Sequence, residues 1–328
     1  MKYRQLGKNG PTVSAIGYGA MVLSPGIYNP VKEGESLTTL ERVFDLGINF
    51  VDTADIYGQG HNERLIGGAI RGRRNKVVLA TKFGGDSDEQ GKTVPGMGRS
   101  AYISAAIDAS LKRLGTDYVD LYYLHRIDPT TPIEETVSAM AELVRVGKVL
   151  HLGLSEVSPE TIRRAHAIHP IAAVQSEYSL FVREPESTVL PTLKELGIGF
   201  VAYSPLGRGI LTANITKIED LAPDDWRRPQ PWFQKSNLER NLSLVARLSA
   251  LAEERGLTTT QLALGWLLHQ GEHVVPIPGS RRAAHMETNA KAVDLELQSD
   301  ELAEVARIVS DGVAGARATP DYLHRVEM

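Results

Sequence analysis

Along the chain, short and uniformly apolar runs alternate with longer stretches in which apolar residues recur every three or four positions. Eight runs of the first kind read as strands: 16–19, 49–53, 77–82, 119–125, 149–155, 172–175, 199–204 and 274–279. Runs such as VVLATK and VDLYYLH are apolar at successive positions, so both faces of each strand must be covered, as in a parallel sheet wrapped by helices. Between them the period is helical. Over 100–114, Ile103, Ala106, Ile107, Ser110, Leu111 and Leu114 make one small or apolar face, with Ser100 placed to cap it and Gly115 to take the left-handed turn that ends it. Thr131, Pro132 and Glu134 predict a capping box with proline in the first turn, and Ser158 with Pro159 opens another helix.

Repeated strand-then-helix units, with no linker, repeat or low-complexity tract, predict one α/β domain over 1–328: a closed (β/α)8 TIM barrel with an N-terminal β-hairpin over 2–14 outside it. An open doubly wound sheet would call for a glycine-rich fingerprint after its first strand; neither GxGxxG nor GxxxxGK[ST] occurs. Two long connections, 84–98 and 207–237, both follow strands and so belong to the C-terminal face of the barrel.

Composition narrows the chemistry. A net charge of -4 over 328 residues offers no basic field for a nucleic acid. Without cysteine there are no disulfides, thiolate metal sites or cysteine nucleophile. His166 and His169 have helical spacing but no third ligand nearby, so no metal site is expected. Arg71, Arg73, Arg74 and Lys76 fall in a helix-to-strand loop, away from the face where sites form, and read as a solvated loop. No stretch is long and apolar enough to span a membrane, and the opening MKYRQLGKNG lacks a signal-peptide core; a soluble, cytoplasmic protein without membrane partners is the expectation.

In a barrel, polar residues that end apolar strands share one rim. Asp52 ends the second predicted strand with Tyr57 just beyond it, Lys82 ends the third and His125 the fourth. A free phenol is a poor acid at neutral pH, but a neighbouring ammonium lowers its pKa, and a buried carboxylate keeps that ammonium charged. A neutral imidazole can orient a carbonyl by hydrogen bonding. Each residue alone has an ordinary structural reading; an Asp at a strand end is usually a turn former. Their succession on consecutive strand ends favours a proton-donating site, and with metal and thiol chemistry excluded a nicotinamide is the natural hydride donor.

The segments GINFVDTADIYGQGHNERLIGGAI (47–70), TKFG around Lys82, DYVDLYYLHRID (117–128), GKVLHLGLSE (147–156), VQSEYSL (174–180), AYSPLGRGIL (202–211) and VVPIPGS (274–280), in this order, resemble the aldo-keto reductases. RRAHAIHPIAAVQSEYSL and WRRPQPWF are most similar to the NADPH-dependent bacterial, yeast and plant group that includes perakine reductase. The resemblance implies an NADPH-dependent oxidoreductase acting on small-molecule aldehydes or ketones, with Tyr57 as general acid, Lys82 and Asp52 as its charged partners and His125 orienting the carbonyl. Ser155, Glu156 and Gln175 would hold the nicotinamide carboxamide and Tyr203 would stack on its ring. Ser204, Leu206, Gly207 and Gly209 would contact the pyrophosphate, and Gly279, Ser280, Arg281, Arg282 and Asn289 the adenosine end, the two arginines suiting a 2'-phosphate. Tyr28, Arg126, Trp226, Trp232 and Phe233 are expected to line the substrate pocket. Glu156 stands where the family often has Asn, and His285 and Thr288 replace an Arg and a Glu near the adenosine end. Two other classes stay open: a docking and sensing module of the kind seen in potassium-channel β-subunits, and a non-redox barrel lyase or hydrolase. The complete tetrad favours turnover over the first, and failure to bind NADPH would favour the second.

Overall fold

The computed structural model describes residues 1–25, 32–87 and 92–327. The hairpin is antiparallel, β1 (Tyr3–Gln5) with β2 (Thr12–Ser14). Eight parallel strands follow among the described residues: β3 (Tyr18–Gly19), β4 (Phe50–Asp52), β5 (Val78–Phe83), β6 (Val119–Leu124), β7 (Val149–Ser155), β8 (Ile171–Glu177), β9 (Gly199–Tyr203) and β10 (Val274–Pro276), each paired with the next. Gly17 N donates to the Pro276 carbonyl at 2.9 Å and Gly19 N to that of Pro278 at 3.4 Å, so the last strand meets the first and the sheet closes as a (β/α)8 barrel. All eight predicted strands are present. The last is shorter than its apolar run, because Pro276 and Pro278 have no N–H to continue the ladder.

The helices that cover the sheet are α1 (Glu33–Asp45), α2 (His61–Ala69), α3 (Ser100–Leu114), α4 (Ile133–Arg145), α5 (Pro159–Ile168), α6 (Val189–Leu196), α7 (Lys235–Glu253), α8 (Thr259–Leu268), α9 (Ala283–Lys291), α10 (Ser299–Val309) and the short α11 (Pro320–Leu323). Gly115 ends α3 at φ 64°, and the Ser158 hydroxyl accepts from Thr161 N at the start of α5, as the pattern predicts. Two caps differ. Ser100 is the first helical residue of α3 and Arg99 precedes it, while Thr131 turns its hydroxyl to Asp128 Oδ2 at 2.7 Å and leaves Pro132 ahead of α4. A carboxylate is the stronger acceptor: Asp128 also takes Gly98 N and Thr130 N, which hold its carboxyl down to about 2.

The barrel interior is filled by Phe50, Ala80, Leu121, Tyr123, Ala173, Val201 and Val275. Its lower end is plugged by the hairpin, which buries Leu6 and Val13 in that same cluster. Gly7 sits at φ 70° with a Cβ position only 2.6 Å from Gly199 N, so no larger residue permits this approach. Arg4 fixes the plug by donating to the carbonyls of Leu268, Gly271 and Val274 at 2.8 to 3.0 Å.

The long connection after β9 folds differently from expectation. Trp232 and Phe233 are each 1% exposed and belong to the core. The turn Pro231–Phe233 aims Trp232 edge-on at Phe181, ring centroids 5.7 Å apart, in the connection after β8. Neither residue lines the barrel mouth. Truncation of Trp232 to Ala is therefore expected to cost about 3 to 5 kcal/mol of folding stability, read from urea unfolding. A loss under about 1 kcal/mol would return this indole to a solvent-accessible wall.

Candidate active site

The parallel arrangement brings the C-terminal ends of the strands to one rim, and the expected residues converge there. Asp52 closes β4, Lys82 is next to last in β5, His125 follows β6, Ser155 closes β7, Gln175 lies in β8 and Tyr203 closes β9. Lys82 is fully buried, and its ammonium donates to Asp52 Oδ1 and, at 2.7 Å, to the Thr53 carbonyl. Gln175 Nε2 donates to the other carboxylate oxygen at 2.8 Å. Tyr57 stands on the connection between β4 and α2, its ring 5.2 Å from Lys82 Nζ and edge-on to the His125 ring at 6.1 Å. Gly85 packs against His125 so closely that a Cβ would come within 2.5 Å of Nδ1; only glycine leaves the imidazole in place.

Burial dominates the electrostatics. It raises the Tyr57 phenol above its ordinary value, and the charge and hydrogen bond of Lys82 offset that rise only in part. The sequence alone points to a net lowering, because it displays the ammonium and not the loss of water. Burial also pushes Asp52 up, against the pull of Lys82 and Gln175. With both its oxygens accepting hydrogen bonds and Lys82 held above its ordinary value, the pair is charged. His125 is driven well below its usual range by burial and by the charges of Arg126, Lys82 and Arg325, so its imidazole is neutral.

A cavity of about 820 Å³ runs from this cluster to the N-terminus of α9. Its lining includes Asp52, Tyr57, His125, Arg126, Ser155, Gln175, Tyr203, Ser204, Leu206, Gly209, Trp226, Gly279, Ser280, Arg281, Arg282, His285, Thr288 and Asn289. Gly207 is buried just behind the lining, and Tyr28 falls outside the described residues. No group of His, Asp and Glu able to hold a metal occurs among the described residues. No helix there is long and apolar enough to cross a membrane. His166 and His169 satisfy local backbone groups, and Arg74 and Arg73 pair with Asp120 and Glu41.

Glu156 departs from expectation. Its carboxylate turns away from the cavity to Arg317 at 2.9 and 3.1 Å and accepts Glu177 N at 2.8 Å, which holds it below its ordinary value. Arg317 also reaches Glu177, 3.5 Å away, which Arg208 approaches to 3.3 Å. Arg317, Tyr322 and Arg325 form a C-terminal segment over the rim that strand-end reasoning misses: Tyr322 meets Arg126 and Tyr203 at 2.7 and 2.9 Å, and Arg325 donates to the Gly85 carbonyl. One signal was present, since an acid at a buried strand end demands a cation.

The sequence pattern of the aldo/keto reductase family matches residues 15–310. The chain belongs to this family. It is 43% identical over 318 residues to the probable aldo-keto reductase 1 of Glycine max, covering 95% of this chain and 90% of that protein. Among solved structures, the glycerol dehydrogenase of Gluconobacter oxydans superposes with a TM-score of 0.85 at 30% identity, over 95% of this chain and 96% of that one. A thermostable aldo-keto reductase in complex with the inhibitor epalrestat gives 0.75 at 30% identity, over 94% and 100%. As an aldo/keto reductase the protein is an oxidoreductase of carbonyl chemistry, in a family that uses nicotinamide cofactors.

Within this reductase one acid near the tetrad makes no ion pair among the described residues, and Arg113 is only the weakest of the charges that act on it. Asp55, between Asp52 and Tyr57, is pushed up to about 7 by burial and by the charges of Glu63 and Asp86. The folded state thus keeps this proton to higher pH than the unfolded chain, whose carboxyl titrates near its ordinary value of 3.8. Stability from this group is complete below about pH 4 and falls as pH rises toward 7. Asp55→Asn is expected to raise the melting temperature over wild type by several degrees at about pH 8, with a smaller gain at about pH 5. A gain equal at both pH values would place the titration elsewhere.

Proposed function

We propose that the chain acts as one catalytic domain, an NADPH-dependent reductase of aldehydes and ketones in which Tyr57 is the general acid. The observation that carries this reading is the convergence of a phenol, a paired ammonium and a neutral imidazole at one end of a cavity whose other end holds two arginines. That cavity fits a dinucleotide by its donors: Ser155 and Gln175 beside the tetrad for the carboxamide, the Tyr203 ring as a stacking platform, and Ser204 to Gly209 along the pyrophosphate. Ser280, Arg281 and Arg282 lead into the start of α9, where backbone N–H groups and guanidinium charge favour a phosphate, and Asn289 lines the same cavity from the last turns of that helix. Bound there, the nicotinamide supplies a hydride for the carbonyl carbon.

The chain's own groups manage the oxygen. His125, uncharged, donates a hydrogen bond that orients the carbonyl. Tyr57, kept protonated by its burial, gives its hydroxyl proton to that oxygen, and the phenolate left behind is balanced by Lys82. Asp52 and the Thr53 carbonyl hold Lys82 in place through this change. Alcohol oxidation uses the same proton in reverse.

Two experiments test the reading. Tyr57→Phe should lower turnover by ~10² to 10⁴ while the NADPH dissociation constant, from fluorescence titration, stays within about twofold; a variant keeping more than about a tenth of wild-type turnover removes Tyr57 from the role. The double substitution Arg281→Ala with Arg282→Ala should weaken NADPH by at least about tenfold and leave NADH unchanged. Equal losses for both cofactors would assign the 2'-phosphate to other residues.

A further inference from the structure

Arg126 follows His125 and lines the tetrad end of the cavity. It is 6% exposed, yet no carboxylate among the described residues lies within ion-pair distance of it. Two other buried arginine side chains near the rim differ: Arg208 faces Glu177, and Arg317 grips Glu156 through two hydrogen bonds. A guanidinium carries five N–H groups. In Arg126, Nη1 donates to the His125 carbonyl at 2.6 Å and to Ser155 Oγ at 3.2 Å, and Nη2 to the Tyr322 hydroxyl at 2.7 Å. All three acceptors are neutral, and among the described residues no acceptor meets the Nε hydrogen or the second one on Nη2. Glu156 supports this charge only from beyond ion-pair distance and is itself gripped by Arg317, so an anion placed directly on the guanidinium would lower the remaining cost of burying it.

We propose that Arg126, with the Tyr322 hydroxyl beside it, binds a carboxylate carried by the carbonyl substrate, so that the enzyme selects oxo acids over neutral aldehydes and ketones. This rests on the reading of the tetrad end as the place of carbonyl reduction. The chemistry favours a carboxylate over a phosphate: one positive charge and two remaining donors in a planar fork match a planar monoanion with two oxygens. Tyr322 is positioned to complete the site, because its hydroxyl already bridges Arg126 and Tyr203.

The test compares charged and neutral molecules of one shape. With NADPH, kcat/KM for 4-carboxybenzaldehyde should exceed that for benzaldehyde by at least about tenfold, the worth of a charge-assisted hydrogen bond, and Arg126→Met should bring the ratio to about one. Calorimetric titration of the protein with benzoate and with benzyl alcohol should show the same preference for the anion, lost in Arg126→Met and partly kept in Arg126→Lys. The proposal is overturned by a ratio near one in the wild type, by a preference that survives Arg126→Met, by an Arg126→Met protein that loses NADPH affinity with its ratio unchanged, or by an aldehyde monophosphate preferred to the carboxylate. Absence of turnover with either aldehyde sinks the reduction reading instead, and the benzoate titration still decides the role of Arg126.

Discussion

Two opposite charges, Lys82 and Asp52, meet in the upper layer of the barrel interior with almost no water around them. Ions in such a medium are stable only as a fully hydrogen-bonded set, since removing one partner of a buried pair typically costs about 3 to 5 kcal/mol. That requirement recruits Gln175 from β8 for the free carboxylate oxygen and the Thr53 carbonyl for the ammonium. Three strands are thereby held in register at the rim. Tyr57 and His125 then occupy the space that remains around Lys82, where burial keeps one protonated and the other uncharged. The tetrad end of the cavity is thus a by-product of solvating one ion pair with protein.

The strands and the tetrad were legible because both are local properties. A strand buried on two faces reads as an unbroken apolar run, and the polar residue at its end is on the rim whatever the loops do. What could not be read depends on contacts between distant parts of the chain. Trp232 and Phe233 looked like pocket walls because they sit in a long rim loop; their burial is decided by Phe181 and by the turn at Pro231, neither of which has a periodic signature. Thr131 had every local attribute of a cap and went to Asp128 because a carboxylate was within reach. The sign of the Tyr57 shift was missed for a related reason: a sequence displays charges, whereas the depth at which they are buried belongs to the fold.

Glu156 illustrates how a local anomaly can announce a distant partner. It marks a point where a charge had to be answered, and the answer is Arg317, 161 positions later. Glu156, Glu177, Arg208 and Arg317 form a buried set of two negative and two positive charges. Trp226 and Trp232 lie 5.3 and 5.2 Å from the Arg208 guanidinium. This set ties the loop after β9 and the C-terminal segment to the ends of β7 and β8. The cavity mouth is consequently shaped by residues that lie outside the repeating strand-helix pattern, while its floor is built from that pattern alone.

The closure of the barrel has a mechanical side. Gly17 and Gly19 donate across the junction between β3 and β10, but the residues opposite them are Pro276 and Pro278, which accept and cannot return a bond, while Ile277 between them donates to β9. The cylinder is therefore stitched along this line from one side only, with half the rungs of an ordinary parallel ladder. The glycines add close backbone contact without side-chain bulk, since a Cβ on Gly19 would stand 2.7 Å from the Ile277 carbonyl. Gly279 to Arg282, which line the cavity, follow directly beyond this one-sided seam. A ligand in that end of the cavity would therefore lie against a seam with fewer backbone bonds than a two-sided ladder provides.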